Sequence, residues 1–335
     1  MIIYADAGTR IDLAGGTLDI FPLYLFEDYG ITINAAVDLN SRVRVATRRD
    51  RRIILIAEDL NLVEEAPTLE ALQPAGVMDL VARIIKFYAP RQGIEVTTRS
   101  NVPKGSGLGA SSSLLISLSA ALVRLMRKNV TPEKIIDYGA NIEAQSIRIP
   151  TGKQDYYPPM YGGFNALWFR TEGIRREKLR LSRRFRNQFY DRLILSFTGE
   201  SRFSGTSNWN MTKKYIDNSG NTVEKMKRIK ETALEMREAL MQEKLEEFGK
   251  LLEREWANRK LLAEGVTNSR IDALMEAARQ TGAVSSKICG AGGGGCMISF
   301  VRPGKREAVA GALTKAGATI LDYHFRESGV RVRVE

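Results

Sequence analysis

The stretch Pro103-Lys104-Gly105-Ser106-Gly107-Leu108-Gly109-Ala110-Ser111-Ser112-Ser113 decides how the chain is read. Ahead of it, Gly93-Ile94-Glu95-Val96-Thr97-Thr98 alternates as a half-buried strand does. Behind it, apolar residues recur at Leu115, Leu118, Leu122 and Met126, the spacing of a helix. A strand, a glycine- and serine-rich turn and a helix N-terminus make an anion site. Glycines let the backbone come close to a ligand, and the first free N–H groups of the helix point at it with the dipole behind them. The ligand this predicts is a phosphate. No Gly-Lys-Ser/Thr closes the loop, so it is not a Walker A sequence, and the dinucleotide spacing Gly-x-Gly-x-x-Gly is absent too.

The rest of the composition narrows the class. The chain has 335 residues, long enough for two domains with sizeable cores. With 44% hydrophobic and 27% charged residues it reads as a globular protein. Two cysteines without paired spacing and a single histidine, His324, argue against a disulfide framework, a Cys/His metal cluster and His-dependent nucleophilic catalysis. Met1-Ile2-Ile3-Tyr4-Ala5-Asp6 lacks the basic start of a signal peptide. Leu108 to Val123 is uncharged for 16 residues but carries five serines and is too short to span a bilayer. The expectation is a cytoplasmic protein without a membrane partner.

A net charge of +11 raises nucleic acid as a partner. Arg48, Arg49, Arg51 and Arg52 lie between Val43-Arg44-Val45 and Ile53-Ile54-Leu55-Ile56, which places them at a solvated hairpin tip. The second cluster, Arg175 to Arg186, has no interleaved aromatic platform beyond Phe185. Nucleic acid is therefore not expected, and an anionic small substrate accounts for the balance as well.

In chain order, a short strand leads into the glycine-rich turn Gly8-Thr9-Arg10-Ile11-Asp12-Leu13-Ala14-Gly15-Gly16-Thr17-Leu18-Asp19. Its carboxylates suit sugar hydroxyls, and its arginine suits phosphoryl charge. Residues 31–35, 41–45 and 53–56 read as separate strands, and Leu80, Ile84, Ile85 and Tyr88 mark a helix. Thr131-Pro132-Glu133 caps a helix through Ile147 that carries Glu143 late in its course. Twelve residues on, Gly152-Lys153-Gln154-Asp155 precedes Tyr161-Gly162-Gly163, an enclosed loop around one acid. A boundary is expected near Asn187–Asp191, dividing the chain into 1–187 and 188–335. Thr198-Gly199-Glu200-Ser201-Arg202 follows the next strand, and Arg202 is placed either on a substrate phosphate or on a rim. Amphipathic helices then run from Val223 and through Leu245–Trp256, and Ser269 caps a third that Gly282 stops. A second glycine run, Lys287-Ile288-Cys289-Gly290-Ala291-Gly292-Gly293-Gly294-Gly295-Cys296, permits close backbone approach. The two cysteines flanking it read as small buried residues. A helix over 305–316 and strands over 319–324 and 330–334 complete the chain, with His324 structural.

Pro103-x-x-x-Gly107-Leu108-Gly109-x-Ser111-Ser112 resembles the ATP-binding motif of the GHMP small-molecule kinases, among them galactokinase, homoserine kinase and mevalonate kinase. Gly15-Gly16-Thr17-Leu18-Asp19 stands where that family has its first motif and is similar to the version in the heptose 7-phosphate kinases. Gly290-Ala291-Gly292-Gly293-Gly294-Gly295 matches the third motif. The resemblance implies an α+β fold of two domains, the first like ribosomal protein S5 domain 2 and the second ferredoxin-like. It implies ATP and Mg²⁺ as cofactors, and transfer of the γ-phosphoryl group to a sugar or sugar phosphate. Asp155 and Arg10 would be catalytic, and Ser111 and Glu143 would hold the metal, with Ser112 as the alternate hydroxyl. Pro103, Lys104, Gly105, Ser106, Gly107, Leu108, Gly109, Ala110, Ser111 and Ser112 would bind ATP. Thr17, Asp19, Asp155, Gly162, Gly163, Arg202, Gly292 and Gly293 would bind the sugar. The substrate expected is D-glycero-D-manno-heptose 7-phosphate. A free sugar of the L-fucose or galactose type, or a silent sugar sensor, is the alternative. Homodimerisation and the role of Lys153 stay open.

Overall fold

The computed structural model describes residues 1–149, 151–200 and 204–335, with the backbone alone for 204–207. β1 (Ile2–Ala14) runs 13 residues, and its alternate side chains Ile3, Ala5 and Ala7 are buried. Arg10 and Asp12 therefore sit on a strand, where the sequence reading put them in a turn. The glycines that suggested a turn allow close packing instead: a Cβ on Gly8 would lie 2.2 Å from the Val37 carbonyl oxygen. After the short helix α1 (Leu23–Phe26), β2 (Gly30–Thr47) returns antiparallel to β1. β2 is one bent strand where the sequence shows two. The register shifts opposite Gly8 and Thr9, so its halves keep separate alternating patterns.

There follow β3 (Ile53–Ala57), β4 (Leu62–Ala66), α2 (Asp79–Tyr88), β5 (Ile94–Ser100), α3 (Ala110–Leu125), α4 (Pro132–Ile147), α5 (Tyr157–Tyr161), β6 (Phe164–Arg170) and β7 (Gly173–Leu179). The second half of β2 pairs with β5 and its first half with β6, while β3 lies parallel to β5. Since β5 separates β2 from β3, the arginines at 48–52 end no hairpin. Arg48 and Arg52 there close on Asp50, at 2.6 and 3.0 Å. Helix α4 starts as expected, with the Thr131 side chain accepting from the Lys134 N–H at 3.3 Å. Helices α2, α3 and α4 cover one face of this sheet. Ile84, Ile85, Leu115, Leu118, Leu122 and Ile136 meet Val43, Val45, Leu55 and Val96 there in one core.

Helix α6 (Arg183–Arg192) occupies the segment expected to hold a boundary. Beyond it come β8 (Leu193–Phe197), α7 (Ser204–Ile216), α8 (Thr222–Met241), α9 (Leu245–Arg259), α10 (Ser269–Thr281), β9 (Ala283–Ile288), β10 (Cys296–Val301), α11 (Arg306–Lys315) and β11 (Thr319–Ile320). The cap of α10 is Asn268, whose side chain accepts from the Ile271 N–H at 2.9 Å, not Ser269. The second sheet has the order β11-β8-β10-β9, all antiparallel. Numbered within that unit this is 4-1-3-2, a ferredoxin-like sheet. The strand expected over 319–324 stops at Ile320, and His324 is exposed, stacked on Tyr190. The last strand, β12 (Arg331–Val334), leaves the second sheet and pairs with β1. A shared core with Ile11, Leu13, Phe164, Phe189, Phe248, Ile298 and Phe300 joins the two sheets. Among the described residues, no helix is long and apolar enough to cross a membrane.

Candidate active site

Arg10 is held on β1 beside the glycine loop: its N–H donates to the Leu108 carbonyl at 3.0 Å. Its Nη1 donates to the carbonyl of Gly107. Its Nε and Nη2 both reach Asp155 Oδ1, at 2.8 and 2.7 Å. Asp155 lies on the single turn Gln154–Tyr156 that the loop after α4 makes. A Cβ on Gly109 would stand 3.4 Å from Asp155 Oδ2, so the acid rests against the entrance of α3. The arginine is 3% exposed and the acid 27%, which leaves the carboxylate the open side. Burial pushes the Asp155 carboxyl up from its ordinary value, against the pull of Arg10.

Helix α3 begins at Gly109 in the left-handed region (φ 75°) with no side-chain cap, so its first N–H groups are presented to a ligand. Glu143, on the facing helix α4, accepts from Ser111 Oγ at 2.5 Å and Ser112 Oγ at 3.2 Å, and from the Tyr156 hydroxyl. Burial raises its carboxyl, and the Ser111 hydrogen bond opposes the rise. A buried carboxylate beside an exposed serine hydroxyl is a hard oxygen set, and it fits Mg²⁺. Among the described residues no three His, Cys, Asp or Glu gather into a cage. Mg²⁺ at a kinase site needs none, because phosphate oxygens and water complete its shell.

The second glycine run packs on the first. Cys296 N–H donates to the Ser106 carbonyl at 2.6 Å, and a Cβ on Gly107 would lie 2.6 Å from the Cys289 carbonyl oxygen. Gly292 and Gly293 face Val266, to whose carbonyl Gly293 donates at 2.7 Å. On the other flank Asp19 accepts from the Gln154 N–H at 3.0 Å. A Cβ on Gly152 would strike Asp19 Oδ2 at 1.9 Å, so this acid clasps the loop that carries Asp155. Burial first, then the Asp155 charge, raises the Asp19 carboxyl to about 6. Thr17 adopts a left-handed conformation (φ 75°), and its hydroxyl accepts from Arg259 Nη1 at 3.3 Å.

Arg10, Asp155, Asp19, Ser111, Ser112, Glu143 and the loop 103–110 thus converge. Gly162 and Gly163 do not join them: a Cβ on Gly162 would lie 2.5 Å from the Ser328 carbonyl carbon, and Gly163 donates to Arg326 at 2.8 Å. Lys153 pairs with Asp137 at 2.9 Å. Arg202 lies outside the described residues. Tyr156, Arg259, Glu255 and Lys287 were missed in the sequence, whereas Asp12 was among its candidate carboxylates. Tyr156 holds Glu143. Arg259 and Glu255, 2.8 Å apart and both fully buried, support Gly16 and Thr17. Lys287 and Asp12, 2.8 Å apart and fully buried, tie β9 to β1. A single charge inside the otherwise uncharged strand before the glycine run was the available signal for Lys287. Arg259 and Glu255 stand at i and i+4 on a helix, a spacing that reads equally as a surface pair.

The chain is similar to known proteins over nearly its whole length. The model of the GHMP kinases N terminal domain matches residues 75–163, and that of the GHMP kinases C terminal domain matches 236–319. The chain is 30% identical over 328 residues to a D-glycero-alpha-D-manno-heptose 7-phosphate kinase of Campylobacter jejuni, covering 96% of each. A Campylobacter jejuni crystal structure assigned as a sugar kinase superposes with a TM-score of 0.81 at 28% identity, covering 99% of this chain and 98% of that one. A Bacteroides-type D-glycero-D-manno-heptose 1-phosphate kinase shares the fold, with a TM-score of 0.78 at 23% identity over 99% of both chains.

Proposed function

The chain belongs to the GHMP kinase family, an ATP-dependent sugar or sugar-phosphate kinase by that membership, and on this premise we propose that it phosphorylates the anomeric hydroxyl of D-glycero-D-manno-heptose 7-phosphate. The observation that carries the chemistry is Asp155: a carboxylate fixed by Arg10 at 2.7 Å, open on its other side and resting against the head of α3. The 30% identity over 96% of a heptose 7-phosphate kinase supports the choice of sugar.

The residues divide the reaction between them. The uncapped first turn of α3 and loop 103–109 hold the ATP phosphates. Asp155 orients the sugar hydroxyl and takes its proton as the oxygen bonds to the γ-phosphorus and the β–γ bridging oxygen departs with ADP. Arg10 balances the negative charge spread over the transferring group. Glu143 and Ser111 would hold Mg²⁺, which would supply neutralisation of the phosphate charge. Asp19 keeps the Gly152–Asp155 loop against the sugar side.

A phosphoryl-transfer screen tests the proposal. Heptose 7-phosphate, hexose phosphates, free L-fucose and galactose are offered with Mg·ATP, with and without chelator. The expected result is chelator-sensitive turnover confined to the heptose 7-phosphate. Preference for a free sugar would transfer the assignment to a fucokinase- or galactokinase-like reaction. Sugar binding without turnover would make the chain a sensor.

A further inference from the structure

Lys287 and Asp12 form a fully buried ion pair that the transfer itself does not use. Lys287 Nζ donates to Asp12 Oδ2 at 2.8 Å and to the Asp12 carbonyl at 3.1 Å. Asp12 follows Arg10 by two residues on β1, so both side chains leave the same face of the strand. The charges therefore alternate from the reacting centre inward: Asp155, Arg10, Asp12, Lys287. Asp12 Oδ1 is buried and has no hydrogen-bond partner. A buried carboxylate with a vacant acceptor two residues from a guanidinium competes for that guanidinium.

We propose that Lys287 is a positioning residue that neutralises Asp12 so that Arg10 stays on Asp155. The inference rests on Arg10 and Asp155 serving the transfer. Without the ammonium, Asp12 would lie unpaired in a buried site and draw on the nearest cations. Arg259 is the other one, but it is tied to Glu255, the Gly16 carbonyl and Thr17, and Glu255 is as buried as itself. Asp155 is partly exposed, and water can replace the partner it loses. Arg10 is thus the side that yields. It would swing toward Asp12 Oδ1, leaving both the Asp155 carboxylate and the transferring phosphoryl group without their cation.

The test compares K287M, D12N/K287M and D155N in the full chain, with rates expressed per folded molecule. K287M keeps the length of the side chain and removes the charge. It should lower kcat about 10- to 100-fold, of the order that one misplaced charge-stabilising donor costs, with the KM for ATP and for sugar within about threefold. D12N/K287M removes the competing charge as well and should bring kcat back to within about tenfold of the parent. Unchanged kcat in folded K287M beside an impaired D155N would overturn the role of Lys287 alone. Full kcat in D155N would overturn the transfer assignment beneath it. If K287M does not fold, the double variant decides: a kcat more than about 100-fold down would show that Lys287 acts other than through Asp12.

Discussion

At the scale of single residues, the two acids on either side of Gln154 have separable signatures. Asp155→Asn keeps the shape and removes the proton acceptor, so kcat should fall by roughly 10²–10⁴-fold while the ATP dissociation constant stays near its original value. Steady-state kinetics with isothermal titration check both, and a folded variant with near-full kcat would remove Asp155 from the chemistry. Asp19 titrates near 6, above its reference of 3.8, because it is buried beside Asp155. The folded chain then binds the extra proton between about pH 4 and 6, and its stability falls as pH rises through that window. An ionised Asp19 is the form that accepts hydrogen bonds from sugar hydroxyls through both oxygens, so kcat/KM should rise through pH 6. In Asp19→Asn both slopes should flatten, the thermal melts keeping what the raised Asp155 and Glu143 carboxyls contribute. A limb at pH 6 that survives the substitution would belong to another group. Asp19 and Asp155 were legible as candidates because acids amid glycines have few structural uses. That Asp19 holds the neighbouring loop was not, because the contact spans more than 130 positions of sequence.

At the scale of elements, the two glycine runs are one construction. Gly107 has φ 70°, and a side chain there would meet the carbonyl of Cys289 at 2.6 Å. Gly107→Val should therefore act twice. It should raise the ATP dissociation constant more than about tenfold by obstructing the phosphates, and lower stability by at least the ~1–2 kcal/mol of a left-handed β-branched residue. Titration calorimetry and a thermal melt separate the two, and intact ATP affinity in the folded variant would take the loop out of the nucleotide site. Helices α2, α3, α4 and α8 to α11 were legible since their periodicity is local; α6 was not, for its segment read as a boundary. β2 was not, because its register shift breaks the alternation that marks one strand. The short β11 ended early for a related reason: the Leu321 N–H still donates to the Leu195 carbonyl on β8 at 2.9 Å, but the ladder goes no further, and alternation alone does not say where pairing stops.

At the scale of the whole molecule, no local pattern announces that the final strand belongs to the first sheet. Arg331-Val332-Arg333-Val334 alternates like any edge strand, and its partner lies more than 300 positions away, at Ile3–Asp6. Removing 329–335 should expose the edge of β1 and cost the pairing along it. The expected result is a melting temperature lower by on the order of 5 °C and an increased tendency to associate. Scanning calorimetry and light scattering check it, and an unaltered melt would make β12 an ornament of the surface.

The return of β12 also orders events in time. Ile2 and Glu335 exchange two backbone hydrogen bonds of 2.8 Å, so the chain all but closes on itself. During synthesis the first sheet and its phosphate loop emerge early, yet the edge of that sheet along β1 waits for residues 331–334, which follow the whole of the second sheet. The first sheet therefore stays open along β1 until the second unit has been made, and closing that edge ties the two units together.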